Sequence, residues 1–436
     1  MGRISARSSS KNSRSNRLPN PTFVRYKVLS FAVCLAAITY MDRVCISITA
    51  RDITRELGLS DVQMGFVFSA FTLAYGAFEI PTGWWGDRVG TRSVLTRIVT
   101  WWSSFTILTA TAFNYASLLV IRFLFGMGEA GAWPNAARTF SRWFPTAERG
   151  RAQGIFFMGA HFGAAITPVL VTSMLDVMKW RTVFVIFGSI GFFWAAAWYY
   201  WFRNEPSEHP SVNAAERELI EKGRGAAASH KMKGVPWRRI FSNRNVLLLC
   251  AAYFTQSYGF YFFITWLPTY LARERGFSAM NLGIFAALPM VACMISDVFG
   301  GIATDAVSKR HGLRLGRALV AGSSFVLASV SMVAGTAAGD ARTAGLLLAL
   351  AAGWSTFCLG AAWGTCLDIA GPNAGVVSAA MNTAGQVGGM LSPVILGFIV
   401  QQWANWTLPL YLTGGLFMLG AFCWCFIDPR QPIEAH

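Results

Sequence analysis

Charge is what this chain lacks. Of its 436 residues only 13% are Asp, Glu, Lys or Arg, about half the share of a water-soluble domain, which excludes an ordinary soluble fold. Acids are scarcest, 21 against 37 basic residues, for a net charge of +16. That charge does not mark a nucleic-acid binder, because the basic residues lie in short groups between apolar runs instead of forming one patch. The eight cysteines have no CxxC spacing and no small secreted frame around them, so they specify neither a metal site nor a disulfide scaffold. With no nucleophile-base pair and no metal constellation in view, neither an enzyme nor a bound cofactor is expected.

Apolar sequence is what it has. Hydrophobic residues make up 54% of the chain and the mean hydropathy is +0.43. A membrane helix uses about 20 such residues, so twelve crossings would need about 240, close to what is present. A β-barrel would alternate apolar and polar residues, and these runs are unbroken. Stretches free of Asp, Glu, Lys and Arg cover 62–78, 98–121, 152–175, 182–202, 245–272, 276–296, 318–339 and 343–367, and a last one, 369–427, divides at the polar turn 401–405. Two more spans carry internal charges: 27–50 holds Asp42 and Arg43, and 116–137 holds Arg122 and Glu129. The expected architecture is an all-α membrane protein with twelve transmembrane helices in two six-helix bundles.

Loop charges orient it. The start of the chain carries Arg3, Arg7, Lys11, Arg14, Arg17, Arg25 and Lys27 without an acid, which places it on the cytoplasmic side. Loops on that side are then basic (Arg88, Arg92, Arg97; Arg138, Arg142, Arg149; Lys309, Arg310, Arg314), and both termini come out cytoplasmic, with a bacterial inner (plasma) membrane as the expected location. The domain reading is a basic disordered tail at 1–26, bundles at 27–203 and 244–428, a central cytoplasmic loop at 204–243 and a tail at 429–436. An internal repeat supports the division. The stretch from Gly83 through Asp87, Arg88 and Gly90 to Arg92 follows the second span, and Gly300 to Asp305 follows the eighth, with Asp87 and Asp305 half the chain apart. Two halves of like orientation follow, related by an axis normal to the membrane.

At these residues the sequence resembles the major facilitator superfamily, and the loop from Gly83 to Arg92 resembles its signature between helices 2 and 3. More narrowly it resembles the anion:cation symporter family of sugar-acid permeases and the vesicular glutamate and sialic acid carriers. The matching stretches are Tyr40 to Arg43 on helix 1, Arg122 through Glu129 to Pro134 on helix 4, Gly150 through His161 to Pro168 on helix 5, Phe262 to Pro268 on helix 7, and Met381-Asn382 on helix 11. The resemblance implies a proton-coupled symporter for a small organic anion, a sugar acid such as galactonate, glucarate or a hexuronate, functional as a monomer in the lipid bilayer.

Four ionisable groups inside spans, Asp42, Arg43, Arg122 and Glu129, survive in lipid only if paired or hydrated. Arg122 and Glu129, two turns apart, share a face, while Asp42 and Arg43 diverge by about 100 degrees. One reading is two ion pairs that lock helix 1 to helix 4. The other, favoured by the resemblance, makes Asp42 and Glu129 proton-binding carboxylates, with Arg122 holding their network in register and Arg43 clamping the substrate anion. Tyr40, Tyr75, His161, Gln256 and Asn382 are the further substrate-binding candidates. Glu79 departs from the family pattern, and Asp297 has no partner legible in sequence. Gly83, Asp87, Arg88, Gly90, Arg92 and Asp305 are assigned to a gate, in which a carboxylate bonds to a helix N-terminus or to an arginine of the adjoining bundle. The rival readings are an organic anion or organophosphate exchanger and, remotely, a non-transporting membrane sensor.

Overall fold

In the computed structural model, residues 20–223, 237–370, 374–431 and 433 are described. Every long element among the described residues is a helix. The first group comprises α1 (Val24–Leu57), α2 (Asp61–Val89), α3 (Thr91–Thr109), α4 (Tyr115–Glu129), α5 (Ala132–Trp143), α6 (Thr146–Leu175) and α7 (Trp180–Trp201). Two short helices, α8 (Ala214–Gly223) and α9 (Trp237–Ser242), lie in the central connection. The second group is α10 (Arg244–Thr265), α11 (Leu267–Arg273), α12 (Ala279–His311), α13 (Leu313–Ala337), α14 (Ala341–Phe357), α15 (Leu359–Ala370), α16 (Ala374–Trp403) and α17 (Thr407–Phe426).

Among the described residues, ten helical stretches are long and apolar enough to cross a membrane, and three of the twelve crossings are broken in two. The fourth breaks after Glu129, where Pro134 has no N–H to return to the carbonyl of Ala130. Helices α2 and α3 are not among these ten; Arg92 and Arg97 interrupt the apolar sequence of α3. They nonetheless take the second and third places in the bundle. Large apolar side chains such as Phe193, Tyr200, Phe422 and Val330 stand exposed on the perimeter, the face that lipid covers.

Packing repeats across the two groups. α1 lies on α6, α2 on α4 and α3 on α7; in step, α10 lies on α16, α12 on α14 and α13 on α17. The groups meet along two seams, α2 with α16 and α6 with α12, which exchange under the same symmetry. Matching glycines mark the repeat. Gly90 joins α2 to α3 at φ 91, ψ 148, and Gly312 joins α12 to α13 at φ 83, ψ 161, backbone that only glycine adopts without strain. The expected loop from Gly83 to Arg92 is therefore helix as far as Val89, with a one-residue break, and Gly300 to Asp305 lies wholly inside α12.

At the end of the bundle away from the chain termini the seams are closed. Arg273 Nη1 pairs with Asp61 Oδ1 at 2.7 Å, the Val62 N–H donates to Gln401 Oε1 at 3.1 Å, and Phe68 meets Trp266 edge-on at 5.5 Å. The Ser69 hydroxyl donates to the carbonyl of Met390 at 2.6 Å. A Cβ on Gly65 would stand 2.6 Å from the Pro393 carbonyl oxygen, so small residues permit this closeness. Toward the terminal end, a Cβ on Gly154 or Gly301 would meet nothing within 4 Å, and Trp84 and Ile302 are exposed.

The first residues are better anchored than expected. Residues 20–26 are not a loose tail: Arg25 is buried, paired with Glu148 at 3.0 Å and with Glu216 of α8 at 3.2 Å, and α1 begins at Val24. The rest of that expected tail, 1–19, lies outside the described residues, as do 224–236 of the central loop and half of the closing segment, 432 and 434–436.

Candidate anion and proton site

The adjacent pair on α1 divides its side chains between two neighbours, as helical geometry requires. Asp42 is buried and turns to α3, beside Trp102 and Thr106 and near Arg122. Arg43 turns to α2 and α4, where its Nε donates to Glu129 Oε1. Glu129 is fully buried and closes α4, at the negative end of that helix's dipole, so a carboxylate there depends on its cation. Aromatic rings replace water around Arg43: Tyr40, Phe71 and Tyr75 lie 5.0, 4.9 and 4.7 Å from its Cζ. Its Nη2 and Glu129 Oε2 are buried without hydrogen-bond partners.

Arg122 and Glu129 do not form the pair that their shared face suggested. Glu129 goes to Arg43, so one ion pair, not two, joins α1 to α4. Arg122 lies against the Phe125 ring at 4.1 Å, and its Nε and Nη1 are buried and unpartnered, as are both carboxylate oxygens of Asp42. Asp42 and Arg122 thus lie near each other inside the first group, off the seam, without a direct ion pair.

Across the seam the second group presents neutral polar side chains. Asn382 Nδ2 donates to Glu79 Oε2 at 2.9 Å, which gives the aberrant Glu79 a partner on the opposite group. Tyr261 donates to Gln386 Oε1 at 3.3 Å and lies beside Thr72 of α2. Gln256 is the exception among the expected ligands. It packs inside the second group with Leu249, Phe325 and Trp424, because its side of α10 faces α13 and α17 instead of the seam. His161, which stands alone in sequence, has Nδ1 2.9 Å from Asp297 Oδ2 across the α6–α12 seam, and its ring is 6.2 Å from that of Tyr40.

The expected gate arginines Arg88 and Arg92 have local partners here. Arg88 stacks on Trp84 at 4.3 Å, the Arg92 N–H donates to Asn204 Oδ1 at 3.0 Å and its Nε to the Tyr199 carbonyl at 2.8 Å, and Asp305 is exposed. These arginines therefore bind within the first group and do not reach the adjoining one. The Asp87 side chain lies outside the described residues. Gly83 allows close approach to Pro134, and a Cβ on Gly86 would overlap Asn135 Oδ1.

The Major Facilitator Superfamily model matches residues 32–393. The chain belongs to that superfamily. It is a multi-pass transporter-family protein and not an enzyme, related to members of the anion:cation symporter family. It is 36% identical over 417 residues to the "Probable sulfoacetate transporter SauU" of Cupriavidus necator, covering 94% of this chain and 95% of that protein. It is 31% identical over 425 residues to the "Probable galactarate/D-glucarate transporter GarP" of Escherichia coli, covering 92% and 94%. A crystal structure of a bacterial homologue of the human lysosomal transporter Spinster, in an inward-facing and occupied conformation, superposes with a TM-score of 0.75 at 19% identity, over 92% of this chain and 96% of that one. This last likeness concerns the superfamily fold alone.

Sequence reasoning missed the aromatic wall. Phe71 sits beside Arg43, Trp133 meets Tyr40 edge-on at 6.2 Å, and Trp363 meets Tyr253 at 6.2 Å. Apolar rings in an apolar span carry no signal of which face they occupy. The Asp297 partner was equally hidden, being 136 residues from His161.

Proposed function

We propose that the protein is a secondary active transporter carrying a small organic anion together with a proton by alternating access. The observation that carries this reading is Arg43: a buried guanidinium, caged by three aromatic rings and held by Glu129, with Nη2 left unpartnered. Protonating Glu129 weakens its hold on Arg43, and an incoming carboxylate takes the vacated donors in the forked geometry that suits a planar anion. Tyr40, Tyr75, His161 and Asn382 supply further contacts for a hydroxylated chain; Asp42 and Arg122 form a linked couple that shares the coupling proton. SauU and GarP are named for anions with two acidic groups, which widens the class from sugar acids to short sulfonate-carboxylates.

The two helix groups, 27–203 and 244–428, are the rocking halves, with both termini cytoplasmic, a bacterial plasma membrane as the location and the monomer as the working unit. Residues 83–92 and Asp305 form the gate when the terminal end closes. Uptake into proteoliposomes tests this with sugar acids, sulfoacetate and amino acids, with and without an inward proton gradient. Accumulation of an organic anion that needs the gradient is expected, and uptake indifferent to it would exclude proton symport.

A further inference from the structure

The expected chemistry of the site places one cation, Arg43, toward the substrate, and leaves Asp297 without a task. Asp297 sits at mid-depth on α12, 18 residues or roughly 27 Å along from Ala279, and its Oδ2 faces His161 Nδ1 at 2.9 Å. His161 lies 14 residues, about 21 Å, from the same end of α6, so the two meet at one level across the seam. Tyr40 stands between this pair and the arginine: its ring is 5.0 Å from Arg43 Cζ and 6.2 Å from the His161 ring. Two basic side chains thus flank one tyrosine, each backed by a carboxylate, Glu129 for one and Asp297 for the other. The other titratable side chains near the pair are Tyr40 from α1, Cys293 on α12 itself and Cys358 at the α14–α15 junction, phenol and thiols that carry no charge at neutral pH in their ordinary state.

The geometry points to His161 as a second anion pole, oriented by Asp297, that recognises the far acidic group of a two-headed anion whose first carboxylate lies on Arg43. Asp297 Oδ2 stands 2.9 Å from Nδ1 as an ion-pair partner, not as an aligned hydrogen bond, and this contact keeps the Nδ1 edge of the ring toward α12 and Nε2 away from it. In the imidazolium form both nitrogens donate, so Nδ1 serves Asp297 while Nε2 serves a carboxylate or sulfonate. A chain with a single acidic group fills only the Arg43 pole and gains nothing from this arrangement. Asp297 is a positioning residue: it acts through His161, and because it belongs to the other helix group the second pole is complete only while the α6–α12 seam is closed at this level. This inference rests on the anion-transport reading.

The test compares binding of D-glucarate, with two carboxylates, and D-gluconate, with one, to the purified full chain in detergent, by calorimetry. Asp297→Asn is expected to lower glucarate affinity by about tenfold or more, the loss of one charged hydrogen bond, with gluconate affinity little changed, and His161→Gln to lower glucarate affinity by clearly more than gluconate affinity. Asp297→Glu should restore most of the preference. A structural role would move both affinities together, so equal changes, including loss of both ligands, overturn the proposal, and so does an unchanged ratio. Wild-type protein that binds neither acid removes the anion reading and this inference with it; wild-type binding of both, with a ratio the variants do not touch, removes this inference alone.

Discussion

Arg43 on α1 donates from Nε to Glu129 Oε1, the carboxylate that ends α4, and this ion pair is buried between helices of the same group. Its members lie 86 residues apart and each keeps one polar atom unsatisfied. A pair so placed is costly to desolvate, and an apolar pair would fix the same helices with less penalty, so its retention is better explained by exchange of partners than by stability.

Glu129→Gln keeps the shape and removes the titration. We expect it to lose gradient-driven accumulation while keeping substrate exchange across the membrane. Normal concentrative uptake by this variant would show that Glu129 is not a coupling site. Arg43→Ala should abolish anion binding, measured by calorimetry, and undiminished affinity would take Arg43 out of the site.

Asp42 and Arg122 should behave as one unit. Removing either charge strands the other in a buried setting, so Asp42→Leu and Arg122→Met should each destabilise by roughly 3 kcal/mol. The double variant should cost clearly less than the two together, because no buried charge remains. Thermal or denaturant unfolding in detergent measures this, and additive losses would mean that the groups do not interact.

The closed end depends on Asp61 and Arg273, 2.7 Å apart. Cysteines at both positions, joined by a thiol cross-linker of about 10 Å or less, should stop transport by holding that end shut, with recovery on cleavage of a reducible linker. Full transport by the cross-linked protein would show that this end need not open. The contact is partly exposed, so neutralising it alone should change stability by less than about 1 kcal/mol.

Glu216 should give the anchored start of α1 a pH dependence. Burial alone would raise its pKa, but the Thr22 hydroxyl, the N–H groups of Arg25 and Val24 and the Arg25 guanidinium outweigh that and hold the carboxyl below the ordinary Glu value. A depressed folded pKa means a contribution that is complete above the unfolded value of about 4.3 and lost as pH falls through the folded value. Melting temperature should therefore fall more steeply on acidification below about pH 4 in the wild type than in Glu216→Gln. Parallel slopes would remove Glu216 from this role.

Glycine at the two interhelix breaks is a backbone requirement. Gly90→Ala and Gly312→Ala should each cost about 1–3 kcal/mol, since both residues occupy conformations that side chains avoid. Gly301→Ala, in open space on α12, should be neutral or mildly stabilising. Equal stability of all three variants, read by unfolding, would show that the breaks are not strained.

Composition and charge spacing by themselves determined the class of this protein. Long uncharged runs can fold only as spanning helices, since lipid offers backbone groups no other partner, and the matching Asp87 and Asp305 segments announced two like halves. The same rarity of charge singled out Asp42, Arg43, Arg122 and Glu129, because an ion in a span must have a reason. Partner choice was decided only in three dimensions. Helical periodicity relates side chains along one helix, so it suggested Arg122 with Glu129, whereas packing of α1 against α4 gave Glu129 to Arg43 instead. It is silent on which face of α10 meets the seam, which is why Gln256 turned out to be interior and Tyr261 the nearer polar group. The meeting of His161 with Asp297 depends on how the two groups of helices lie together, a relation that no local pattern in the chain encodes.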